Sequence, residues 1–317
     1  MSDRVETMMA VGQAPWHNKG KVLTVAPKNT AEGIEASGLN WEVELKPLFL
    51  GDGRRVEANA IVRKSDNHIL GHHVGMGFQP LQNIDAFKWF DPFIESGLCS
   101  FETAGSLCEG SRIWVLAKLN REDTEVAPGD FIRKYLLLSN SHEYGVSIRV
   151  GLTPVRVVCW NTLTLSHNSV DSKLIRVRHT GQTLRVLGEI REIVNVANNA
   201  FEATCEQYRK LAKSKIVNQN DLRKYVTQVL NLTEKTEGVL STRSENTFKK
   251  VMEYIVNGKG NATPEVSGTW WTAFNGLNEF LCYSRGRTEE TRLNSVWFGD
   301  SAVKNINALE LALEMAS

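Results

Sequence analysis

Residues 1–40 carry little periodic signal. Then Trp41, Val43 and Leu45 alternate with Glu42, Glu44 and Lys46, the period-two pattern of a half-buried strand over 41–50. Gly51-Asp52-Gly53 predicts a turn. Apolar runs at 56–62 and 69–74 flank Asp66-Asn67 and predict a hairpin. Runs at 101–107 and 113–119, separated by Glu109-Gly110, predict a second. Pro128-Gly129 marks a further turn, and 135–138 with 146–150 predict a third hairpin around 142–145. Strands at 155–159 and 174–177 follow. Asn83 is the expected N-cap of a helix running to Ser96 and kinked by Pro92. Asn161-Thr162 is placed to cap a short helix.

The period changes after that. Ile190, Ile193, Val194, Ala197, Phe201, Cys205, Tyr208 and Leu211 fall at helical spacing over 189–213. Further helices are expected at 221–230, at 248–256 behind a Thr242-x-x-Glu245 capping box and before a Gly258 stop, at 269–283, and after an Asp300 cap. The fold class is α+β: an antiparallel, hairpin-rich sheet, then a helical C-terminal part. The expected division is 1–185 for the β-rich domain, with one or two helices, and 186–317 for the helical region.

The chain has 317 residues, 42% of them hydrophobic and 23% charged, which excludes a disordered chain. Five cysteines, with no CxxC pair and several in apolar surroundings, fit buried thiols in a reducing compartment. The N-terminus has no apolar leader and no run of 18 apolar residues occurs, so a soluble cytoplasmic protein without membrane contact is expected. The net charge of +1 excludes nothing, but its distribution is uneven. Between Lys134 and Arg191 eight Lys and Arg stand against three acids, a candidate anion-binding surface.

Several motifs fail their tests. Gly105-x4-Gly110 has P-loop glycine spacing, but Ser111 stands where the phosphate-binding lysine must be. Gly75-Met76-Gly77 begins like a dinucleotide fingerprint and meets Pro80 in place of its third glycine. His68, His72 and His73 cluster without a further ligand at metal-site spacing, so no metal and no cofactor is expected. Trp270, Trp271, Phe274 and Phe280 lie upstream of Arg285, Arg287 and Arg292, but aromatics at helical spacing are expected in the core.

The basic strands remain. Arg156 sits among valines in Thr153-Pro154-Val155-Arg156-Val157-Val158-Cys159. Burying a guanidinium is costly, so Arg156 has either an internal carboxylate or an anionic ligand. Alternation over 173–179 places Arg176 and Arg178 on one pleat, about 7 Å apart, and Lys173, Ile175, Val177 and His179 on the other. That separation is close to the spacing of adjacent phosphates on an extended single strand.

Several blocks resemble a family of phage and plasmid proteins of unknown function, DUF932. They are Pro15-Trp16-His17 with Gly20, the Asn140-Ser141-His142-Glu143-Tyr144-Gly145 turn, Thr153 through Leu163, Arg178-His179-Thr180, Trp270 through Asn275, and Ser295 through Gly299. Asn18-Lys19 and the HEYG turn depart from the family pattern. The resemblance implies a phage or plasmid origin and a host-cytoplasmic location. At the level of architecture alone, hairpins beside a long helix are similar to Rad52-like single-strand annealing proteins.

The function expected first is non-enzymatic binding of single-stranded DNA by a homo-oligomer, in recombination or replication. The phosphate contacts would be Arg149, Arg156, Lys173, Arg176, Arg178 and His179, with no catalytic residue. One alternative is an anti-defence or regulatory protein that binds a host protein. Another is a hydrolase or nuclease using His142, Glu143, Cys159 and His179.

Overall fold

The computed structural model describes residues 5–12, 20–156, 161–162, 175–194, 198–236, 239–286, 295–296 and 299–317. The chain divides into two units. The first is Met1–Arg121, Tyr135–Leu152 and Leu174–Val196; the second is Glu122–Lys134, Thr153–Lys173 and Ala197–Ser317. The helical residues 183–194 therefore group with the sheet, and a β-hairpin around Pro128-Gly129 groups with the helices.

In the first unit, β1 (Val5–Val11), β2 (Lys21–Leu23), β6 (Cys99–Leu107), β7 (Arg112–Leu119), β9 (Asp130–Ser141, from Tyr135 on) and β10 (Ile148–Arg156, to Leu152) form a sheet. Its order is β10-β9-β7-β6-β1-β2, with β12 (Ile175–Val177) on β10. β1 pairs with β6, β6 with β7, β7 with β9 and β10 with β12 antiparallel, whereas β1 and β2 run parallel. The unit also holds the meander β3 (Val43–Phe49), β4 (Arg55–Arg63) and β5 (Ile69–Gly75), as the alternation at 41–74 predicts. Its α1 (Thr30–Ala36) is capped by Asn29, whose side chain accepts from the Glu32 amide.

The predicted kinked helix over 83–96 is two helices, α2 (Asn83–Lys88) and α3 (Asp91–Glu95). Pro92 lies in the first turn of α3, where its missing N–H costs nothing. Asn83 does not cap α2. Its amide bonds the Leu39 and Trp41 carbonyls, and Gln82 is the capping residue. Phe87, Trp89, Phe90 and Phe93 pack with Phe101 of β6 as a contiguous aromatic cluster. The Trp89 indole donates to the Leu187 carbonyl of α4 (Thr183–Val194), fastening that helix.

In the second unit, β8 (Thr124–Ala127) pairs with the start of β9, and β11 (Asn161–Thr162) pairs with the end of β10. Asn161-Thr162 is thus a strand, not a helix cap. The helices are α5 (Asn198–Lys213), α6 (Gln219–Leu230), α7 (Thr242–Asn257), α8 (Trp270–Tyr283) and α9 (Asp300–Met315), with a short β13 (Glu234–Thr236) and β14 (Val239–Leu240) pair. The helix predicted over 189–213 is helical at 189–194 in α4 and at 198–213 in α5, with 195–197 outside the described residues. Ser241, one residue before the predicted cap, accepts from the Ser244 amide. Likewise Gly299, not Asp300, precedes α9.

The helical core gathers around α8, buried on almost every side: Trp270, Trp271, Phe274, Leu277, Phe280 and Leu281 are enclosed, as are the polar Thr272, Asn275, Asn278 and Glu279. The Trp271 indole donates to Asp130 at 2.7 Å, so a buried carboxylate fixes the first turn of the helix. Gly276 is required by contact: a Cβ there would lie 2.5 Å from the Ile255 backbone. No helix among the described residues is long and apolar enough to cross a membrane.

Candidate nucleic-acid interface

Two copies of the same triplet face each other in the first unit. Ile148-Arg149-Val150 of β10 and Ile175-Arg176-Val177 of β12 pair antiparallel, with Ile148 opposite Val177, Arg149 opposite Arg176 and Val150 opposite Ile175. The β-branched residues favour the strand, and the pleat sends them inward: Ile148, Val150 and Val177 are buried. The same pleat sends both arginines to the opposite face, where Arg176 is exposed and Arg149 is half-buried. Side chains directly opposite have Cβ atoms about 5 Å apart, and like charges in that position are destabilising. Arg178, two residues on, shares the exposed pleat.

The charged groups nearest Arg149 are Arg176 and Arg112, and Arg112 is itself paired with Glu143. Partial burial, then the like charges of Arg176 and Arg112, push the Arg149 guanidinium below its ordinary value. Arg176 and Arg178 are exposed, and no carboxylate among the described residues pairs with either. Other basic residues of the sequence cluster are neutralised elsewhere. Lys134, in the second unit, pairs with Glu202 at 2.7 Å, and Arg185 pairs with Glu189 at 2.6 Å. Lys173 and the side chain of Arg156 lie outside the described residues, as do Cys159 and the Pro15-Trp16-His17 block; the Arg156 backbone pairs with Asn161.

The 140–145 block divides in function. Asn140, Ser141 and His142 are buried: the Asn140 amide donates to the Leu81 carbonyl, Ser141 accepts from the Glu143 amide, and His142 N–H donates to the Ser111 carbonyl. Gly71 on β5 passes so close that a Cβ would lie 2.2 Å from the His142 carbonyl oxygen. Glu143 turns to Arg112, whose guanidinium donates to it at 2.7 Å. Tyr144 turns outward, 66% exposed, with its ring 4.9 Å from His73 in a stacked pair.

His179 is not on the arginine face. It lies on the opposite pleat, 8% exposed, its ring stacked on Phe78 at 4.6 Å. The phosphate contact expected of His179 is thus placed on the pleat opposite Arg176 and Arg178. His142 is near it and fully buried, against Trp41 and 3.4 Å from the Asn83 side-chain oxygen. Burial, then His179 and Arg63, lower the His142 pKa to about 3. Burial lowers that of His179 to about 4, against backbone hydrogen bonding that favours the charged form.

Both rings are therefore neutral at pH 7. The polar set imagined for hydrolysis is divided, with the two histidines enclosed and Glu143 bound to Arg112. Among the described residues no three His, Cys, Asp or Glu side chains group as a metal site. His68 faces Glu109 at 3.6 Å, and His72 is exposed.

Alternation revealed Arg176 and Arg178, but not Arg112, Tyr144 or His73. An aromatic in the middle of a polar turn was the available signal for Tyr144.

No curated protein and no solved structure matches the chain significantly, so no homologue supports the Rad52-like likeness. A family match does exist, over residues 71–297. It begins after Pro15-Trp16-His17 and takes in both IRV triplets, the buried Asn140-Ser141-His142 network, Arg178-His179-Thr180 and helix α8. The chain belongs to DUF932, a family defined by a domain of unknown function.

Proposed function

We propose that the first unit binds single-stranded DNA without reading its sequence, as part of a phage or plasmid recombination or replication system. The observation that carries this reading is the register pairing of Arg149 with Arg176 on an outward pleat, with Arg178 beside them. Like charges set opposite one another carry a cost, and a phosphodiester laid across them would relieve part of it. A phosphodiester chain supplies repeated anions at matching spacing, and contacts to it position the ligand without specifying sequence. Tyr144, exposed on the hairpin that leads into Arg149, offers a π-face on which a base can stack, backed by His73.

Fluorescence anisotropy with a labelled oligo-dT strand tests this. Binding should weaken steeply with salt, and Arg176→Ala with Arg178→Ala should lower the log–log slope by about 1.4, the contribution of two phosphates on a single strand. Tyr144→Ala should cost about 1–3 kcal/mol per stacked base while leaving the slope unchanged. Absence of binding at low salt, or an unchanged slope in the double variant, overturns the reading. Annealing of complementary strands, with a ring or filament appearing on DNA addition, would extend it to homo-oligomeric strand annealing.

A further inference from the structure

The second unit holds a cavity that DNA binding by the first unit does not use. It measures about 840 Å³ and lies where the C-terminal ends of α6 and α8 meet the first two turns of α7. A recess of about 370 Å³ continues it toward the start of α9, sharing Arg243, Arg285 and Gly286. Three cationic side chains line the main cavity: Arg243, Lys250 and Arg285. Arg285 is neutralised by Asp300 at 2.6 Å. No carboxylate among the described residues pairs with Arg243 or Lys250. Glu245, on the same helix, is turned to Arg223 at 3.4 Å.

The rest of the lining is rich in hydroxyls, among them Thr233, Thr242, Thr247 and Ser284, and Phe280 supplies an apolar element. Two cationic side chains with no carboxylate partner among the described residues recognise a phosphate, because each N–H finds a charged acceptor. The volume is that of a pocket for a small organic ligand, larger than a bare phosphate requires. We propose that this cavity binds a phosphorylated small molecule of nucleotide size, with Arg243 and Lys250 holding its phosphates and the wall near Phe280 receiving its organic part.

Isothermal titration calorimetry of the full chain tests the site, with pyrophosphate, a nucleoside monophosphate and a nucleoside triphosphate as probes. At least one nucleotide should bind, more tightly than pyrophosphate. Arg243→Ala with Lys250→Ala should weaken it by about a hundredfold, as loss of two charge-assisted hydrogen bonds implies. Both side chains are exposed, so folding should survive, and an unchanged circular dichroism spectrum verifies that. Arg176→Ala with Arg178→Ala should leave nucleotide binding intact, which separates this site from the DNA surface. A 5′-phosphorylated oligonucleotide that competes, where its 5′-hydroxyl counterpart does not, would identify a strand end as the phosphate source instead of a free nucleotide. No heat with any probe at millimolar concentration, or equal affinity in the Arg243/Lys250 double variant, overturns the proposal.

Discussion

Acidification from pH 7.5 to pH 5 is expected to destabilise the first unit through His142 and His179. Their folded pKa values lie at about 3 and about 4, below the ordinary 6.5. The folded state therefore binds fewer protons than the unfolded chain wherever the unfolded rings titrate. Stability from this pair is complete above pH 6.5 and falls as pH drops below it. The loss ends only when each ring protonates in place, near its folded pKa. Each ring contributes about 1.4 kcal/mol per pH unit over that window. At pH 5 the two together remove about 4 kcal/mol, a large part of the 5–15 kcal/mol typical of a folded domain.

Urea unfolding at pH 7.5, 6.5, 5.5 and 5.0, read by hydrogen exchange of the 136–142 amides, measures the loss in the unit concerned. His142→Asn with His179→Asn should flatten the dependence, and either single variant should halve it. A constant midpoint between pH 7.5 and 5, or the same fall in the double variant, would refute the assignment to these rings.

Two substitutions test the packing. Gly276→Ala should cost about 1–3 kcal/mol, because the new methyl group must push the α8 backbone off Ile255; an unchanged Tm would show that the two helices can separate freely. Glu6→Ala removes the 2.7 Å partner of the buried Arg63, whose other guanidinium arm donates to the Glu109 carbonyl. The cost should be about 2 kcal/mol by thermal unfolding, less than for a fully enclosed pair because the Glu6 side chain is 28% exposed.

The sheet was legible where period-two runs met glycine or asparagine turns, since alternation and turn chemistry are local properties. Thus Gly51-Asp52-Gly53, Asp66-Asn67 and Pro128-Gly129 all lie between strands. Chain breaks were harder. Separate strands were expected at 146–150 and 155–159, yet 148–156 run as one, because pairing on both sides compensates for weak local propensity. Caps slipped by a residue where neighbours shared a chemistry, as with Ser241 and Thr242. At the candidate interface, alternation separated Arg176 from Val177 but could not show what stood opposite. The partner of Arg176 is set by a register between segments 27 residues apart, and Arg112 joins through a different strand. The buried histidines follow the same rule: 37 residues separate them in sequence, and only the fold brings their rings into one electrostatic environment.

If the facing IRV triplets hold an anion as proposed, they set durability against use. Replacing Arg176 with Gln would remove a repulsion across the ladder and leave the inward Ile175 and Val177 untouched, so the fold should gain stability as the anion site is lost. Selection for thermal resistance alone would then erode the arginines first and spare the valines and isoleucines around them. Related chains released from the need to hold an anion would keep the hydrophobic ladder and carry neutral residues at its centre.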